Sequence, residues 1–341
     1  MTPSRSALEY VGSDAEAKKK RKHSSAKTGR GCEASRAAKD TAQSLMQIAL
    51  PQDELRLSPA TSGITSLVKR PLLKWAGGKT QLLDVLREAM PTDFSRFAEV
   101  FFGGGALFWS LGLPGSLIAD SNPELINFYG VVRDTPCDLL DAVGRLPITK
   151  DDYYHIRGVD PKALPSVARA ARFVYLNKTC FNGLHRVNRQ GQFNTPFCGR
   201  TDVRVLDRED VLTASALLRT CTIICADFTE SLAQLHEGDF VYLDPPYLPV
   251  GGYSDFRRYT KDFFGEEHHV RLAAEFSKLR KRGVNALLSN SATDRIRSLY
   301  SAHHCVTVMA SRHINCNGEG RGKIPELLVA NYPLELADAV S

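Results

Sequence analysis

An apolar segment that runs into two prolines holds the residues best suited to chemistry. Residues 240–243 predict a buried strand, and Asp244, Pro245, Pro246 and Tyr247 follow it directly. Prolines end a strand because they cannot donate to the sheet ladder, but a strand end does not explain the flanking Asp and Tyr. The Asp244 carboxylate and the Pro245 carbonyl can accept the two N–H bonds of an exocyclic amine and localise its lone pair on nitrogen. Tyr247 adds a stacking face, so these four residues predict a catalytic site for a planar base that carries an amine.

A glycine-rich turn gives the first indication of a cofactor. Phe102, Gly103, Gly104 and Gly105 stand between an apolar segment and a helical stretch, where glycines let the backbone approach a ligand closely. Asp120 ends the next apolar segment, a position where an acidic side chain can accept both ribose hydroxyls of a nucleoside. A tight turn would explain the glycines alone. The turn and the acid together predict a nucleoside cofactor bound by Phe102, Gly103, Gly105 and Asp120.

Residues 73–79, which read Leu-Lys-Trp-Ala-Gly-Gly-Lys, offer a second set of ligand contacts. A P-loop would need glycine where Leu73 stands, which argues against a nucleotide triphosphatase. Lys79 can instead pair with a ligand carboxylate while the Trp75 indole faces a cationic group, which suits a sulfonium that carries an amino acid. The alternative is that Trp75 is a core residue and Lys79 a surface one.

A basic window marks the expected contact with a polyanion. Residues 177–200 contain Lys178, Arg186, Arg189 and Arg200 and no acidic residue, which suits a phosphate backbone. The turn-forming residues 189–192 predict a β-hairpin that presents Arg186 and Arg189 on a ribbon able to enter a groove. A structural hairpin with solvated arginines is the alternative.

These motifs need a sheet to bring them together. From position 71, short apolar runs alternate with helical stretches, which is typical of an α/β fold. The candidate strands are residues 97–102, 116–119, 222–225, 240–243, 284–289, 305–309 and 327–331. The candidate helices between the second and third strands are residues 123–132, 138–145, 166–176 and 207–218. We therefore predict a catalytic domain of residues 67–121 and 221–335, an inserted, mainly helical recognition domain of residues 122–220, and a short tail of residues 336–341.

Composition narrows the class of protein. The chain is 43% hydrophobic, enough to bury a core, and residues 1–66 have the composition of a disordered basic tail. The charge run at residues 18–22 could bind nucleic acid or act as an import signal, although a solvated run is the simpler interpretation. No apolar run of 18 residues or secretory h-region occurs, so we expect no membrane contact and a cytoplasmic protein. The eight cysteines are scattered without zinc-like spacing, so no metal is predicted.

Taken in order, these motifs resemble those of the Dam-type DNA adenine-N6 methyltransferases, the D12 class of amino-methyltransferases. The matching blocks are residues 73–79, the glycine turn, 119–127, 176–200, 226–228 and 244–247, spread over residues 70–332. The resemblance implies a Rossmann-like sheet of about seven strands that binds S-adenosylmethionine, and direct in-line methyl transfer to adenine N6 after base flipping in duplex DNA. Val100 stands where the family usually has Pro, and Gly104 where it often has Ala or Ser.

The resemblance also implies roles for single residues. It implies cofactor contacts at Trp75, Lys79, Asp120 and Asp244, with Asp227 and Phe228 near the cofactor's adenine ring. For the basic window, whose Lys178 and Arg189 are already predicted contacts, the resemblance implies recognition of the sequence GATC. Phe181 would act as a wedge in the base stack and Asn182 would lie at a phosphate. Leu184, Arg186 and Pro196 would lie at base edges. His185 and Val187 stand where Cys and Tyr are commoner, which leaves the target sequence open.

Several alternatives remain at this point. The same tetrapeptide suits cytosine N4 or adenine in RNA, and a catalytically dead DNA-binding module is a remoter option. Residues 251–259 predict a loop that closes over a flipped base, and residues 311–323 predict a turn between the last two strands. We expect a monomer associated with the nucleoid, with restriction-modification, gene regulation and marking of phage DNA all open as biological roles.

Overall fold

The structure is a computed structural model in which residues 70–188, 190–248, 264–311, 323–334 and 336 are described. Three predicted features lie outside these residues: the tail at 1–66, the loop at 251–259, and residues 312–322 of the turn between the last strands. Arg189, predicted to contact DNA, also lies outside them.

Seven strands form one mixed sheet, which confirms the predicted α/β fold. They are β1 Phe97–Val100, β2 Leu117–Asp120, β3 Thr222–Cys225, β4 Phe240–Leu243, β5 Asn285–Ser291, β6 His304–Ser311 and β7 Lys323–Ala330. The order is β3-β2-β1-β4-β5-β7-β6, with β7 antiparallel to both of its neighbours and the first five strands parallel. Strand β1 ends earlier than predicted because Phe101 turns the chain, with a left-handed φ of 68°.

Ten α-helices of the described residues surround this sheet: α1 Leu83–Glu88, α2 Ala106–Leu111, α3 Pro123–Asp134, α4 Pro136–Gly144, α5 Lys150–Gly158, α6 Ser166–Thr179, α7 Arg208–Leu218, α8 Phe228–Ala233, α9 Glu266–Lys281 and α10 Asp294–Leu299. Side-chain caps set several of their starts. Asn122 accepts the backbone N–H groups of Glu124 and Leu125 at α3, and Asp207 those of Glu209 and Asp210 at α7. None of the helices in the described ranges is long and apolar enough to cross a membrane.

Side chains along each strand point alternately to the two faces of the sheet, so the hydrophobic core is divided into two clusters, one on each face. On β4, Phe240 and Tyr242 enter one hydrophobic cluster, and Val241 and Leu243 enter the other. Helices from residues 123–218 pack into the first cluster, while α8 and α9 pack into the second. The first cluster is thus shared by the sheet and the helices between β2 and β3. The division of the chain into a catalytic and an inserted domain stays a prediction.

The parallel strands bring the predicted motifs to one edge. Strands β1 and β4 are adjacent, with Val100 paired to Leu243, so the glycine turn after β1 lies beside Asp244 after β4. Strand β2 flanks β1 and ends at Asp120. From β1 the chain adds β2 and β3 on one side, and from β4 it adds strands on the other side, so β1 and β4 flank a topological switch point. Ligands of open α/β sheets bind at such a point, outside the carboxyl ends of the strands.

Candidate active site

A cavity of about 1250 Å³ opens at this edge of the sheet. The predicted site residues in its lining are Trp75, Lys79, Phe102, Gly103, Gly105, Asp120, Phe181, Asn182, Leu184, Asp227, Phe228, Asp244, Pro245, Pro246 and Tyr247. Residues far apart in the sequence therefore meet around one space large enough for a nucleoside cofactor and a base. Among the described residues, Lys178, Arg186 and Pro196 lie outside this lining.

An ion pair joins the two motifs that bound the cavity. The Lys79 ammonium lies 2.8 Å from Oδ1 and 2.9 Å from Oδ2 of Asp244, and it donates to the Gly77 carbonyl at 2.7 Å. Lys79 is buried, which rules out the alternative that it is a surface residue. The contact between Lys79 and a ligand carboxylate stays a prediction.

Strand β5 supports Asp244 from behind, with residues that the sequence interpretation missed. Ser289 donates to Asp244 Oδ1 at 2.8 Å, and its hydroxyl lies 2.8 Å from the hydroxyl of the buried Tyr242. Oδ1 thus has two polar contacts, while Oδ2 has Lys79 and room for a further N–H donor. The β4–β5 register pairs Leu243 with Leu288, which places Ser289 beside Asp244, but no local signal in the sequence marks it.

Tyr247 is fixed at two points of its ring. Its hydroxyl donates to Glu326 Oε2 at 2.6 Å, and the Lys79 ammonium lies 4.7 Å from the ring centroid, a cation–π contact. Burial, with Asp244 and Glu326 nearby, raises the pKa of Tyr247 well above its ordinary value. The hydroxyl is therefore a hydrogen-bond donor at all physiological pH values. Glu326 lines the cavity and was not predicted.

The glycine turn fits tightly around Trp75. Gly103 has a φ of +49°, and a Cβ placed there would lie 2.6 Å from the Trp75 ring; Gly105, at φ +65°, would place one 2.4 Å from Phe102. Asp120 holds this turn, because the Gly103 N–H donates to its Oδ2 at 3.0 Å and the Asn122 N–H to its Oδ1 at 2.9 Å. Only glycine allows this approach, and the turn thereby borders the cavity with backbone rather than side chains.

Glu99 is a further carboxylate in the cavity lining, and its role was not predicted. Its side chain is buried, accepts the Phe108 N–H at 2.9 Å, and faces Asp244 and Lys79 closely enough to interact electrostatically. Burial raises the pKa of Glu99 to about 8, with the repulsion of Asp244 adding to the effect of burial. Glu99 is therefore mostly protonated at neutral pH.

Known proteins resemble this chain over most of its length. The family model of the D12 class N6 adenine-specific DNA methyltransferases matches residues 75–314. The type II methyltransferase M1.LlaDCHI of Lactococcus lactis subsp. cremoris is 37% identical over 271 residues, covering 77% of this chain and 95% of the relative. The DNA adenine methylases of Vibrio cholerae and Escherichia coli K12 are 33% and 31% identical, covering 78% and 77% of this chain and 97% and 96% of the relatives.

The chain belongs to the D12 class of adenine-specific DNA methyltransferases. The predicted family and enzyme class are thereby confirmed. The methyltransferase contains, in its described residues, no group of three or more His, Cys, Asp or Glu side chains that could hold a metal ion.

An aromatic cluster closes the cavity of the methyltransferase on the side of α8. Phe228 packs against Phe101 and Phe264, with ring centroids 5.6 and 6.0 Å apart, and the Arg271 guanidinium lies 4.4 Å from the Phe228 ring. Asp227 caps α8 by accepting the Thr229 N–H at 3.0 Å, and Arg271 donates to its other carboxylate oxygen at 2.7 Å. This apolar surface therefore lies beside a carboxylate, and the contact of Asp227 and Phe228 with the cofactor's adenine ring stays a prediction.

Two contacts connect the cofactor motif of the methyltransferase to the basic window. The buried Asn177 accepts the Lys74 N–H at 2.9 Å and donates to the Lys74 carbonyl at 2.7 Å. Trp75 stacks on His185, with centroids 5.2 Å apart, and burial lowers the pKa of His185 to about 4, so that its ring is neutral. His185 therefore packs against a predicted cofactor residue.

The predicted hairpin is held by isolated antiparallel bridges rather than by a named pair of strands. Val187 pairs with Phe193, and Cys180 with Phe197. Arg186 donates from Nε to the Asn194 side chain at 2.7 Å, and the Pro196 carbonyl accepts the Phe181 N–H at 2.8 Å. These bonds fix the segment that carries Phe181, Arg186 and Pro196, whereas Lys178 lies in α6.

Phe181 is an exposed aromatic at the rim of the cavity. Its side chain is 51% exposed, and Asn182 after it has a left-handed φ of 53°, which is uncommon outside glycine. Beside it, the lining of a second cavity of about 390 Å³ includes Lys74, Lys178, Arg200 and Arg204, together with Asp202, which pairs with Arg200 at 3.0 Å. Burial lowers the pKa of Lys178 to about 8, with Lys74 and Arg70 adding to the effect of burial.

Proposed function

We propose that this enzyme transfers a methyl group from S-adenosylmethionine to N6 of adenine in duplex DNA, in the sequence GATC, with the target base turned out of the helix. The observation that carries the proposal is the placement of Asp244. Its carboxylate lies between Lys79 and Ser289, at the edge of a cavity that also contains Tyr247. The proposed role of this group is to accept one N–H of the target amine.

The catalytic residues act by positioning and by polarising the amine. Asp244 Oδ2 keeps a lone pair for one N–H, and the Pro245 carbonyl accepts the other, so that electron density is drawn back onto N6. Pro246 lies beyond the end of β4 and cannot donate to the sheet ladder, and Tyr247 stacks on the base. Because the carboxylate is already held by Lys79 and Ser289, it needs no reorganisation when the amine arrives.

The residues around the rest of the cavity fit S-adenosylmethionine. Asp120 retains lone pairs for ribose hydroxyls, and the glycine cradle of Gly103 and Gly105 presents backbone where a Cβ would collide with Trp75 or Phe102. Asp227 and Phe228 suit the adenine, and Lys79 and Trp75 suit the charged amino-acid end. When bound, this cofactor supplies an electrophilic methyl group on sulfur.

The basic window is the proposed reader of DNA. Phe181 would wedge into the stack, Asn182, Lys178 and Arg189 would contact the backbone, and Leu184, Arg186 and Pro196 would face base edges. The exposure of Phe181 and the cluster of Lys and Arg side chains next to it support this assignment. We further propose a monomer that works in the cytoplasm at the nucleoid, since one protomer contains the whole set of predicted contacts.

The test uses the full chain and S-adenosylmethionine labelled in its methyl group. Duplex oligonucleotides with GATC, the same duplexes with the adenine replaced, and a GATC-containing RNA are incubated with enzyme, and nucleosides are then separated. The expected product is N6-methyladenine in the GATC duplex only. N4-methylcytosine, label in RNA alone, or no label in any DNA would refute the proposal, whereas N6-methyladenine outside GATC would refute only the target sequence.

A further inference from the structure

Glu326 contacts a catalytic residue from a distant strand. It lies on β7, and its Oε2 accepts the Tyr247 hydroxyl at 2.6 Å across 79 positions of sequence. A hydrogen bond between a hydroxyl and a carboxylate of this length belongs to the charge-assisted class, which is stronger than a neutral one. The contact is therefore able to fix the direction of the tyrosine ring.

The backbone around Glu326 is itself fixed on both sides. Glu326 pairs with Ser291 of β5 and with Val308 of β6, so two ladders determine where its side chain begins. Glu326 is half-buried and lines the cavity, a costly place for a carboxylate without a specific partner. Tyr247 provides that partner.

Lys79 supplies the second fixed point of the ring. Its ammonium lies 4.7 Å from the centroid of Tyr247 and also contacts both carboxylate oxygens of Asp244. One edge of the ring is thus tied to β7, and its π-face is tied through Lys79 to Asp244. The ring and the amine-binding carboxylate are thereby held in one frame.

We propose that Glu326 is a positioning residue that orients the Tyr247 ring for stacking on the target base. The proposal rests on the proposed function, since the ring has this task only if an adenine is turned into the cavity. Glu326 acts through Tyr247 and is assigned no contact with the base or the cofactor.

The experiment compares Glu326→Ala, Glu326→Gln and Tyr247→Phe, with Glu230→Ala, an exposed carboxylate on α8, as the matched control. Methylation kinetics are measured on duplex DNA, together with the fluorescence of 2-aminopurine at the target position and the melting temperature. Glu326→Ala and Tyr247→Phe each lose the charge-assisted bond, so we expect kcat to fall about tenfold or more with little change in the KM for DNA. Glu326→Gln keeps an acceptor oxygen for the Tyr247 hydroxyl but loses the negative charge, so its kcat should lie between those of wild type and Glu326→Ala.

The double variant Tyr247→Phe/Glu326→Ala decides between positioning and a structural role. If Glu326 acts through the hydroxyl, the double variant is no slower than the slower single variant. The proposal would be overturned if the kcat losses of the two single variants multiplied in the double variant. It would also be overturned if Glu326→Ala kept the wild-type kcat and the wild-type 2-aminopurine signal. If Glu326→Ala does not fold, Glu326→Gln and Tyr247→Phe carry the test, and normal kcat in Tyr247→Phe overturns it. A wild-type enzyme that methylates no adenine refutes the proposed function instead, and this inference falls with it.

Discussion

Lys79 and Asp244 lie 165 positions apart in the sequence, yet the ammonium is within 2.9 Å of both carboxylate oxygens. The two side chains are 7% and 20% exposed, so solvent screens the pair only weakly. The motif that begins the cofactor site and the motif that polarises the amine are therefore joined by one ion pair. Loss of either partner leaves the other charge poorly compensated.

Asp244→Ala should abolish turnover and also destabilise the fold. We expect the free energy of unfolding to fall by about 2 kcal/mol or more, because Lys79 remains buried without its counter-charge. Affinity for duplex DNA should persist, because Lys79 and Ser289, the side chains bonded to Asp244, are not among the predicted DNA contacts. Single-turnover methylation, urea denaturation and fluorescence anisotropy measure the three effects. Asp84→Ala, which removes an exposed pair with Arg87, is the control and should change stability by less than about 0.5 kcal/mol. Wild-type methyl transfer in Asp244→Ala would contradict the amine-polarising role.

Glu99 should give the folded enzyme a characteristic pH dependence. Its pKa is about 8 in the folded state against an ordinary value of 4.5, so the folded state retains a proton that the unfolded chain releases between these values. For this group, stability is greatest below about pH 4.5 and falls as the pH rises towards 8, by at most about 1.4 kcal/mol per pH unit.

Glu99→Gln removes this titration and keeps an acceptor for the Phe108 N–H. Its free energy of unfolding relative to wild type should therefore rise from acidic pH up to about pH 8 and level off above it. Urea denaturation over a series of pH values measures the difference, with Glu230→Gln expected to follow wild type. Parallel curves for Glu99→Gln and wild type would show that Glu99 is ionised in the folded state.

The sequence patterns predicted the strands and the glycine turn because both have local causes. Apolar runs mark strands such as β1 and β4, which are buried on both faces. Position 103 requires glycine because the chain adopts a positive φ there against the Trp75 ring. The helix α5 was not singled out, although Thr149 supplies a cap that accepts the Asp152 N–H. That Thr and the acidic first turn are the signal that could have identified this helix.

The supporting residues of the site could not be predicted in the same way. Ser289 and Glu326 contact Asp244 and Tyr247 only because β5 lies next to β4, and β7 lies between β5 and β6. Strand order is a property of the folded sheet, and neither Ser289 nor Glu326 belongs to a sequence motif that marks it as a functional residue. The ion pair between Lys79 and Asp244 has the same origin, since it depends on two chain segments meeting at the switch point.

Gly103→Ala should damage the cofactor site directly. The backbone there has a φ of +49°, and the new Cβ would lie 2.6 Å from the Trp75 ring, so either the turn or the indole must move. We expect affinity for S-adenosylmethionine, measured by calorimetry, to fall about tenfold or more. Gly144→Ala, at the end of α4 with nothing within 4 Å of its Cβ, is the matched control and should be neutral or slightly stabilising. Wild-type cofactor affinity in Gly103→Ala would rule out a role for this turn in binding.

Phe181→Ala separates recognition from folding. The side chain is 51% exposed, so its loss should change the free energy of unfolding by less than about 0.5 kcal/mol. If Phe181 wedges into the base stack, kcat/KM on a matched duplex should fall about tenfold, and the loss should shrink on a duplex whose target adenine is mispaired, since that base is already easier to extrude. Tyr154→Ala, which removes another exposed aromatic of the helices between β2 and β3, should leave both substrates unaffected. An equal loss on matched and mispaired duplexes would mean that Phe181 contributes to binding without opening the stack.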